Sequence, residues 1–375
     1  MKIAIVLYPT YGGSGVVATE LGMRLANRGH EIHFISYKQP VRLDLLNENI
    51  HFHEVHVPDY PLFQYLPYGL ALASKMVDIA KLHAIEIFHV HYAIPHAYAA
   101  YNAKMILKEE GVNIPIITTL HGTDITLVGS HPNYKPAVTF SINQSDFVTA
   151  VSQNLKENTL DIFDIKKDIQ VIPNFIDLNR NKSDFTDCNR NLLAKKEERI
   201  ITHVSNFRPL KRVEDVIYIF KEILDKIPAK LLLAGDGPER EKIEHLVAKL
   251  ALEKNVVFLG NTNDVSRLLC FSDLFLLPSE KESFGLAALE AMLYKTPVVS
   301  SNAGGIPEVN KQGVSGFLSD IGNVAEMAAN AFKILKDDKT LEQFKVNARE
   351  QATQFDVNTI VPIYEALYTK ALSQK

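Results

Sequence analysis

Short runs of apolar and β-branched side chains alternate along the chain with longer stretches in which apolar residues recur at helical spacing. Parallel strands need a crossover, usually a helix, so this alternation predicts doubly wound parallel sheets. Two series separate. The first has strands over Lys2–Tyr8, Glu31–Ser36, Ile50–Val55, Glu86–Val90, Pro115–Leu120 and Asp146–Ala150, and ends near Ile169–Pro173. The polar stretch Asp177–Glu198 then breaks the rhythm, as a linker or surface loop does. The second series restarts at Arg199–Val204 and runs through Lys230–Ala234, Asn255–Leu259, Asp273–Leu277 and Pro297–Ser300, with helices to Lys375. The expected fold class is α/β, with two Rossmann-like doubly wound domains over residues 1–175 and 176–355.

Composition narrows the function classes. With 375 residues, 46% of them hydrophobic, each domain can bury its own core. A net charge of −4 lacks the broad basic footprint of a nucleic-acid binder. No run approaches the roughly 20 apolar residues of a membrane span, and the first strand begins too early for a signal-peptide core. The expectation is a soluble, cytoplasmic protein without an integral membrane segment. Cys188 and Cys270 belong to no C-x-x-C or His-Cys cluster and read as ordinary structural residues of a reduced compartment.

Candidate chemistry lies in loops that follow strands. After the first strand, Pro9-Thr-Tyr-Gly-Gly-Ser-Gly-Val16 opens a helical pattern. Glycines allow close backbone approach, and amides at a helix N-terminus favour phosphate. The spacing is not G-x-G-x-x-G, and no acidic residue closes the second strand, which argues against a dinucleotide dehydrogenase. A tight turn without a ligand fits the same residues. In the second series, Pro278-Ser-Glu-Lys-Glu282-Ser-Phe-Gly-Leu-Ala-Ala-Leu-Glu290 follows an apolar strand and opens a helix. Seven residues separate the two glutamates, which puts Glu282 in the loop and Glu290 about two turns into the helix. Taken alone, such glutamates are also common on solvated helices.

This segment resembles the E-x7-E motif of retaining GT-B glycosyltransferases of the family 4 type, with Phe284 and Gly285 in the usual places. That resemblance implies that Glu282 binds sugar hydroxyls, that the amides of Ser283, Phe284, Gly285 and Leu286 hold the leaving phosphate and sugar, and that Glu290 binds the ribose. In Ser205-Asn-Phe-Arg-Pro-Leu-Lys-Arg212, Lys211 matches the family's G-R-x-x-x-x-K lysine, whereas Asn206 stands in the arginine column and Arg208 lies two residues later. A fixed Arg208/Lys211 pair stabilises a diphosphate more as it gains charge on leaving. By the same resemblance Gly13, Ser14, Gly15, Gly235 and Asn261 line the donor. The segment Asn302-Ala-Gly-Gly-Ile-Pro-Glu308 lies beside the nucleotide in the family.

His89-Val-His-Tyr-Ala-Ile-Pro-His96 and Thr118-Thr-Leu-His-Gly-Thr-Asp124 fall at carboxyl ends of strands, where open α/β sheets bind ligands. With the first glycine loop and S-N-F-R-P-x-K-R they resemble, over essentially the whole chain, the enzymes that transfer N-acetylglucosamine to L-malate. The resemblance implies UDP-N-acetylglucosamine and L-malate as substrates, UDP as product, retention of the α configuration and the first step of bacillithiol synthesis. His121 then meets the donor sugar, and Ser14, Tyr92, Thr119, Asn206 and Arg208 contact malate. It also implies a central cleft between the domains, a homodimer, and a final helix, about 356–375, packed back on the first domain. Asp124 is the nearest candidate for a covalent nucleophile, but the resemblance favours same-face attack.

No cofactor and no essential metal are expected. Eleven of thirteen histidines lie in the N-terminal half, and His51/His53 and His89/His91 share strand faces by their period of two, yet spacing suggests no third ligand. No D-x-D clamp is present. Residues 1–174 carry 13 Lys and Arg against 16 Asp and Glu, which favours a soluble acceptor over a membrane-bound one.

Overall fold

The computed structural model describes residues 1–10, 12–59, 61, 64–179, 190, 193–262 and 265–374. The chain forms two compact units, Met1–Phe175 with Asn358–Lys375, and Ile176–Val357. The first unit holds β1 (Lys2–Val6), β2 (Glu31–Ser36), β3 (Ile50–Glu54), β4 (Ile87–His91), β5 (Ile116–Leu120), β6 (Phe147–Ala150) and β7 (Ile169–Val171). They make a parallel sheet in the order β3-β2-β1-β4-β5-β6-β7. The second unit holds β8 (Arg199–Val204), β9 (Ala229–Ala234), β10 (Val256–Gly260), β11 (Leu274–Leu277), β12 (Val298–Ser301) and β13 (Gly316–Ser319). Their parallel order is β10-β9-β8-β11-β12-β13.

Both units are α/β and doubly wound. In each, the strand order reverses once, between β1 and β4 and between β8 and β11. At such a reversal the crossover helices leave on opposite faces, so the loops beyond the carboxyl ends of the two central strands diverge and leave a crevice. β13 was not among the expected strands. It joins the edge because Gly316 has no side chain, and a Cβ there would lie 1.7 Å from the Val298 carbonyl oxygen.

Helices covering both faces make the central strands continuously apolar. β11 is buried at all four positions, Leu-Phe-Leu-Leu. β4 is buried at all five although two are histidines, so their polar atoms need partners inside. His89 finds them in Tyr368 Oη at 2.7 Å and Thr119 Oγ1 at 2.8 Å. Tyr368 belongs to the last helix, Val357–Ser373, which lies in the first unit from Asn358 and is tied there again by Arg28 Nε donating to Glu365 at 2.8 Å. Cys270 is disulfide-bonded, a departure from its reading as an ordinary structural residue of a reduced compartment, and Cys188 lies outside the described residues. Among the described residues, no helix is long and apolar enough to cross a membrane.

The helix that follows the first glycine loop, Gly13–Asn27, sits close on its sheet at Gly22, where a Cβ would lie 2.3 Å from Phe34 Cζ and 2.9 Å from Ile5 Cδ1. Phe34 is fully buried and has no free space to enter. Gly22→Ala is therefore expected to destabilise the protein by about 1–3 kcal/mol despite alanine's better helix propensity. A lowered urea midpoint is the expected reading, and an unchanged or raised one contradicts the packing described.

Candidate active site

The second unit gathers its charged groups at its strand reversal. The β8 loop carries Lys211 and the β11 loop carries Glu282, and Lys211 Nζ donates to Glu282 Oε1 across the gap. Ser279 Oγ donates to the same oxygen at 3.2 Å. Hydrogen bonds to backbone carbonyls fix both loops: Glu280 N donates to Leu210 O at 2.8 Å, and Ser301 Oγ donates to Ser279 O at 2.5 Å. The Asn302–Glu308 segment clasps Glu282 from the other side, with Gly305 N donating to Glu282 O at 2.9 Å. Gly304, at φ 58°, permits this approach, because a Cβ would lie 1.9 Å from the Glu282 carbonyl oxygen. The ion pair keeps side-chain exposures of 18% and 15%, so it is screened from water yet reachable by a ligand.

The glycine turn after β9 supports the β8 loop. A Cβ on Gly235 would lie 1.7 Å from Ser205 O, and one on Gly237 would lie 2.2 Å from Asn206 O. Gly235 thus shapes the β8 loop by letting two backbones touch. Asn206 and Arg208 are both exposed on the β8 loop, and Asn261 is exposed just after β10. His203 anchors the base of this loop from inside: it is buried, with Nδ1 2.8 Å from Leu276 O and Nε2 2.8 Å from Ser205 Oγ. Burial pulls its pKa down to about 4.

The short helix Leu286–Leu293 changes two details of the sequence reading. Glu290 is its fifth residue, so it stands just over one turn in, not two. Gly285 caps the helix at φ 94°, which leaves Leu286 in the first turn and Ser283 and Phe284 in the preceding loop. The Phe284 side chain is buried edge-on against Phe355, with ring centroids 5.5 Å apart, so what it can offer a ligand is its backbone.

In the first unit the reversal is bridged by neutral groups. Ser14, at the start of the helix after β1, hydrogen-bonds through Oγ to Tyr92 Oη from the β4 loop. Gly15 must be glycine to let that helix start there, since a Cβ would lie 2.5 Å from Tyr8 O; Gly13 is exposed at the first helical position. Tyr92 sits at φ 86° with its ring beside Tyr8 and His121, each 5.1 Å away between centroids. Burial raises its phenol pKa, so the hydroxyl is held neutral.

His121 is nearly buried, and its Nε2 lies 2.8 Å from His91 Nδ1. Burial depresses His121 to about 3 and His91 well below its usual value, so both imidazoles are neutral and one of the facing nitrogens carries the shared hydrogen. Asp124 accepts from Ala93 N and Gly122 N at 2.9 Å and from His121 N at 3.3 Å, and burial pushes its carboxyl up to about 6. It therefore stitches the β4 and β5 loops together, a role that leaves it poorly placed as a nucleophile. His91, Asp124 and Ser279 hold candidate groups in place but belong to no motif whose spacing announces that role.

Thr119 is placed differently from the sequence expectation. Its side chain is 1% exposed, and Oγ1 lies 2.8 Å from both His89 Nε2 and Thr149 Oγ1. A hydroxyl so enclosed is part of the interior, and what Thr119 brings to the loops is its carbonyl, which accepts from Tyr92 N at 2.9 Å.

A cation–carboxylate pair at one strand reversal and a hydroxyl–imidazole set at another stand where open α/β sheets bind ligands, on two Rossmann-like units. Residues 11–180 match the family Glycosyltransferase Family 4, and residues 184–351 match Glycosyl transferases group 1. The chain belongs to these family 4 type glycosyltransferases of GT-B fold. It is 48% identical to N-acetyl-alpha-D-glucosaminyl L-malate synthase of Bacillus anthracis over 99% of this chain and 97% of that one. It is 30% identical to an uncharacterized glycosyltransferase of Methanocaldococcus jannaschii over 93% of both. In fold it resembles sucrose-phosphate synthase of Thermosynechococcus elongatus (TM-score 0.81, 19% identity, all of both chains). A second likeness is Anabaena HepE in complex with UDP and glucose (TM-score 0.80, 23% identity, 98% of this chain and all of that one).

The buried histidines make stability depend on pH. His89, His121 and His203 have folded-state values of about 3, 3 and 4, below the 6.5 of an exposed imidazole. Between those limits the unfolded chain binds protons that the folded chain refuses, so stability falls as pH drops from about 6.5 toward 4. Each such histidine contributes a slope of up to about 1.4 kcal/mol per pH unit. His203→Gln is expected to flatten the fall in urea-unfolding free energy over this range, and an unchanged slope contradicts a neutral buried His203.

Proposed function

We propose that this protein transfers N-acetylglucosamine from UDP-N-acetylglucosamine to the hydroxyl of L-malate with retention of the α configuration, releasing UDP in the first step of bacillithiol synthesis in the cytoplasm. The observation that carries this reading is the 48% identity along 99% of the chain to a relative with that activity in its name. The geometry supplies chemistry to match. Lys211 is the cation that meets the diphosphate, joined by the exposed Arg208, while Glu282 turns to the sugar hydroxyls once the donor competes for Lys211. Leu286 N and the preceding loop amides face the phosphate, and Glu290, one turn on, takes the ribose.

In the reaction, the malate oxygen bonds to the anomeric carbon as the bond to the β-phosphate oxygen breaks. The hydroxyl proton passes to that departing oxygen, so no side chain forms a covalent intermediate. The protein contributes alignment and fixed positive charge in a partly dry site, which favours the transition state over the ground state. Ser14, Tyr92 and His121 offer neutral hydrogen-bonding groups on the first unit, suited to hydroxyls of sugar and acceptor.

UDP release from UDP-N-acetylglucosamine in metal-free buffer, compared for L-malate, D-malate and no acceptor, tests the assignment. Release with L-malate alone and an α-linked product by NMR is expected. Release indifferent to malate overturns the acceptor, and absence of release with every acceptor overturns the donor. Lys211→Ala and Glu282→Ala are each expected to lower kcat by about 10²–10³-fold. Wild-type turnover in either contradicts the role given to the pair.

A further inference from the structure

The histidines at the outer edge of the first sheet are used by nothing in the transfer reaction. β2 and β3 pair in parallel with His33 beside His51 and Ile35 beside His53, so Glu31, His33, His51 and His53 share one face. The helix Tyr68–His83 puts Leu72, Met76 and Ile79 into one buried apolar cluster with Ile35, and it ends at His83. Four imidazoles and a carboxylate therefore close one end of an apolar layer. Glu31 and His33 lie in the first half of β2, at the opposite end of the strands from the loops that carry Ser14 and Tyr92.

We propose that His33, His53 and His83 form a zinc-binding site, with Glu31 holding His33 in its ligating orientation. One ring nitrogen from each of the three lies within 4.8 Å of the others. The rings of His83 and His33 are 4.4 Å apart between centroids, and those of His83 and His53 are 5.2 Å apart. His33 Nδ1 faces His53 Nε2 at 2.9 Å. Two nitrogens bound to one tetrahedral zinc at about 2.0–2.1 Å stand roughly 3.4 Å apart, so the pair opens by a few tenths of an ångström as the ion replaces their shared hydrogen.

The other nitrogen of His33 supplies the stronger argument. Nε2 donates to Glu31 Oε1 at 3.0 Å, which fixes the tautomer with Nδ1 bare. A carboxylate behind a histidine in this way raises its basicity and orients it, as metal-ligating histidines generally require. His33 is fully buried, so this orientation is held by packing as well. Three imidazoles suit zinc, and solvent completes a four-coordinate shell from the open edge beside the half-exposed His51. The ion would cross-link two strands and a helix end, and it lies apart from the reacting groups, so the site is independent of the metal-free transfer chemistry proposed above.

The test uses the full chain, stripped with chelator, re-equilibrated with zinc at neutral pH, freed of excess ion and analysed for metal by mass spectrometry. About one zinc per chain and a raised thermal midpoint are expected. His53→Gln and His83→Gln should each weaken zinc binding at least about tenfold and abolish the thermal shift, with glycosyl transfer unchanged. His131→Gln, at an exposed histidine elsewhere, should bind zinc as the wild type does. Cobalt in place of zinc should give the visible bands of a tetrahedral site. Substoichiometric zinc in the wild type, or equal zinc in the wild type and both cluster variants, overturns the proposal and leaves a hydrogen-bonded histidine cluster.

Discussion

The ion pair between Lys211 and Glu282 draws its place from strand order. β8 and β11 are neighbours whose outgoing loops must diverge, and the pair spans the gap that divergence leaves. A lysine and a glutamate on a solvated surface gain little from each other. Here both are mostly covered, and their loops are locked by hydrogen bonds accepted by the carbonyls of Leu210, Ser279 and Glu282. That confinement gives the site its use. In the proposed reaction the donor opens this pair: Lys211 is already held for phosphate, and the Glu282 side chain is what turns to the sugar hydroxyls.

Glycine supports this arrangement by absence. Gly235, Gly237 and Gly304 each let a neighbouring carbonyl come where a Cβ would stand, and two of those carbonyls belong to the β8 loop and one to Glu282. The first unit solves the same problem with other residues. There the loops after β1 and β4 are joined by Ser14 and Tyr92, and the β4 and β5 loops by Asp124, whose carboxylate accepts three backbone hydrogen bonds. The reversal of the second unit is bridged by an ion pair, and that of the first by the neutral hydroxyls of Ser14 and Tyr92.

Much of the fold was legible because buried parallel strands leave a strong signature. β11 is an unbroken apolar run, β1 is apolar after Lys2 and β8 is buried from Ile200 to His203, and helical periodicity between them is clear. β13 escaped because its pairing rests on one glycine rather than on an apolar run. At the site, loop residues such as Lys211 and Glu282 were readable from motif spacing, but side-chain direction was not. Thr119 sits beside a motif histidine yet points into the interior, and Phe284 fills the core behind the loop it belongs to. The histidine cluster was hidden for a different reason. His33, His53 and His83 come from two strands and a helix end far apart in sequence, so no spacing rule could join them; the β2–β3 register and the end of the Tyr68–His83 helix do.

We propose that the diphosphate sugar binds at the strand reversal between β8 and β11. A crystal structure of the protein with UDP-N-acetylglucosamine tests it most directly. The account predicts the diphosphate within hydrogen-bonding distance of Lys211 Nζ and the amides at the start of the Leu286 helix, with Glu282 moved onto the sugar hydroxyls. A donor seated elsewhere, with the Lys211–Glu282 pair still closed, would contradict it.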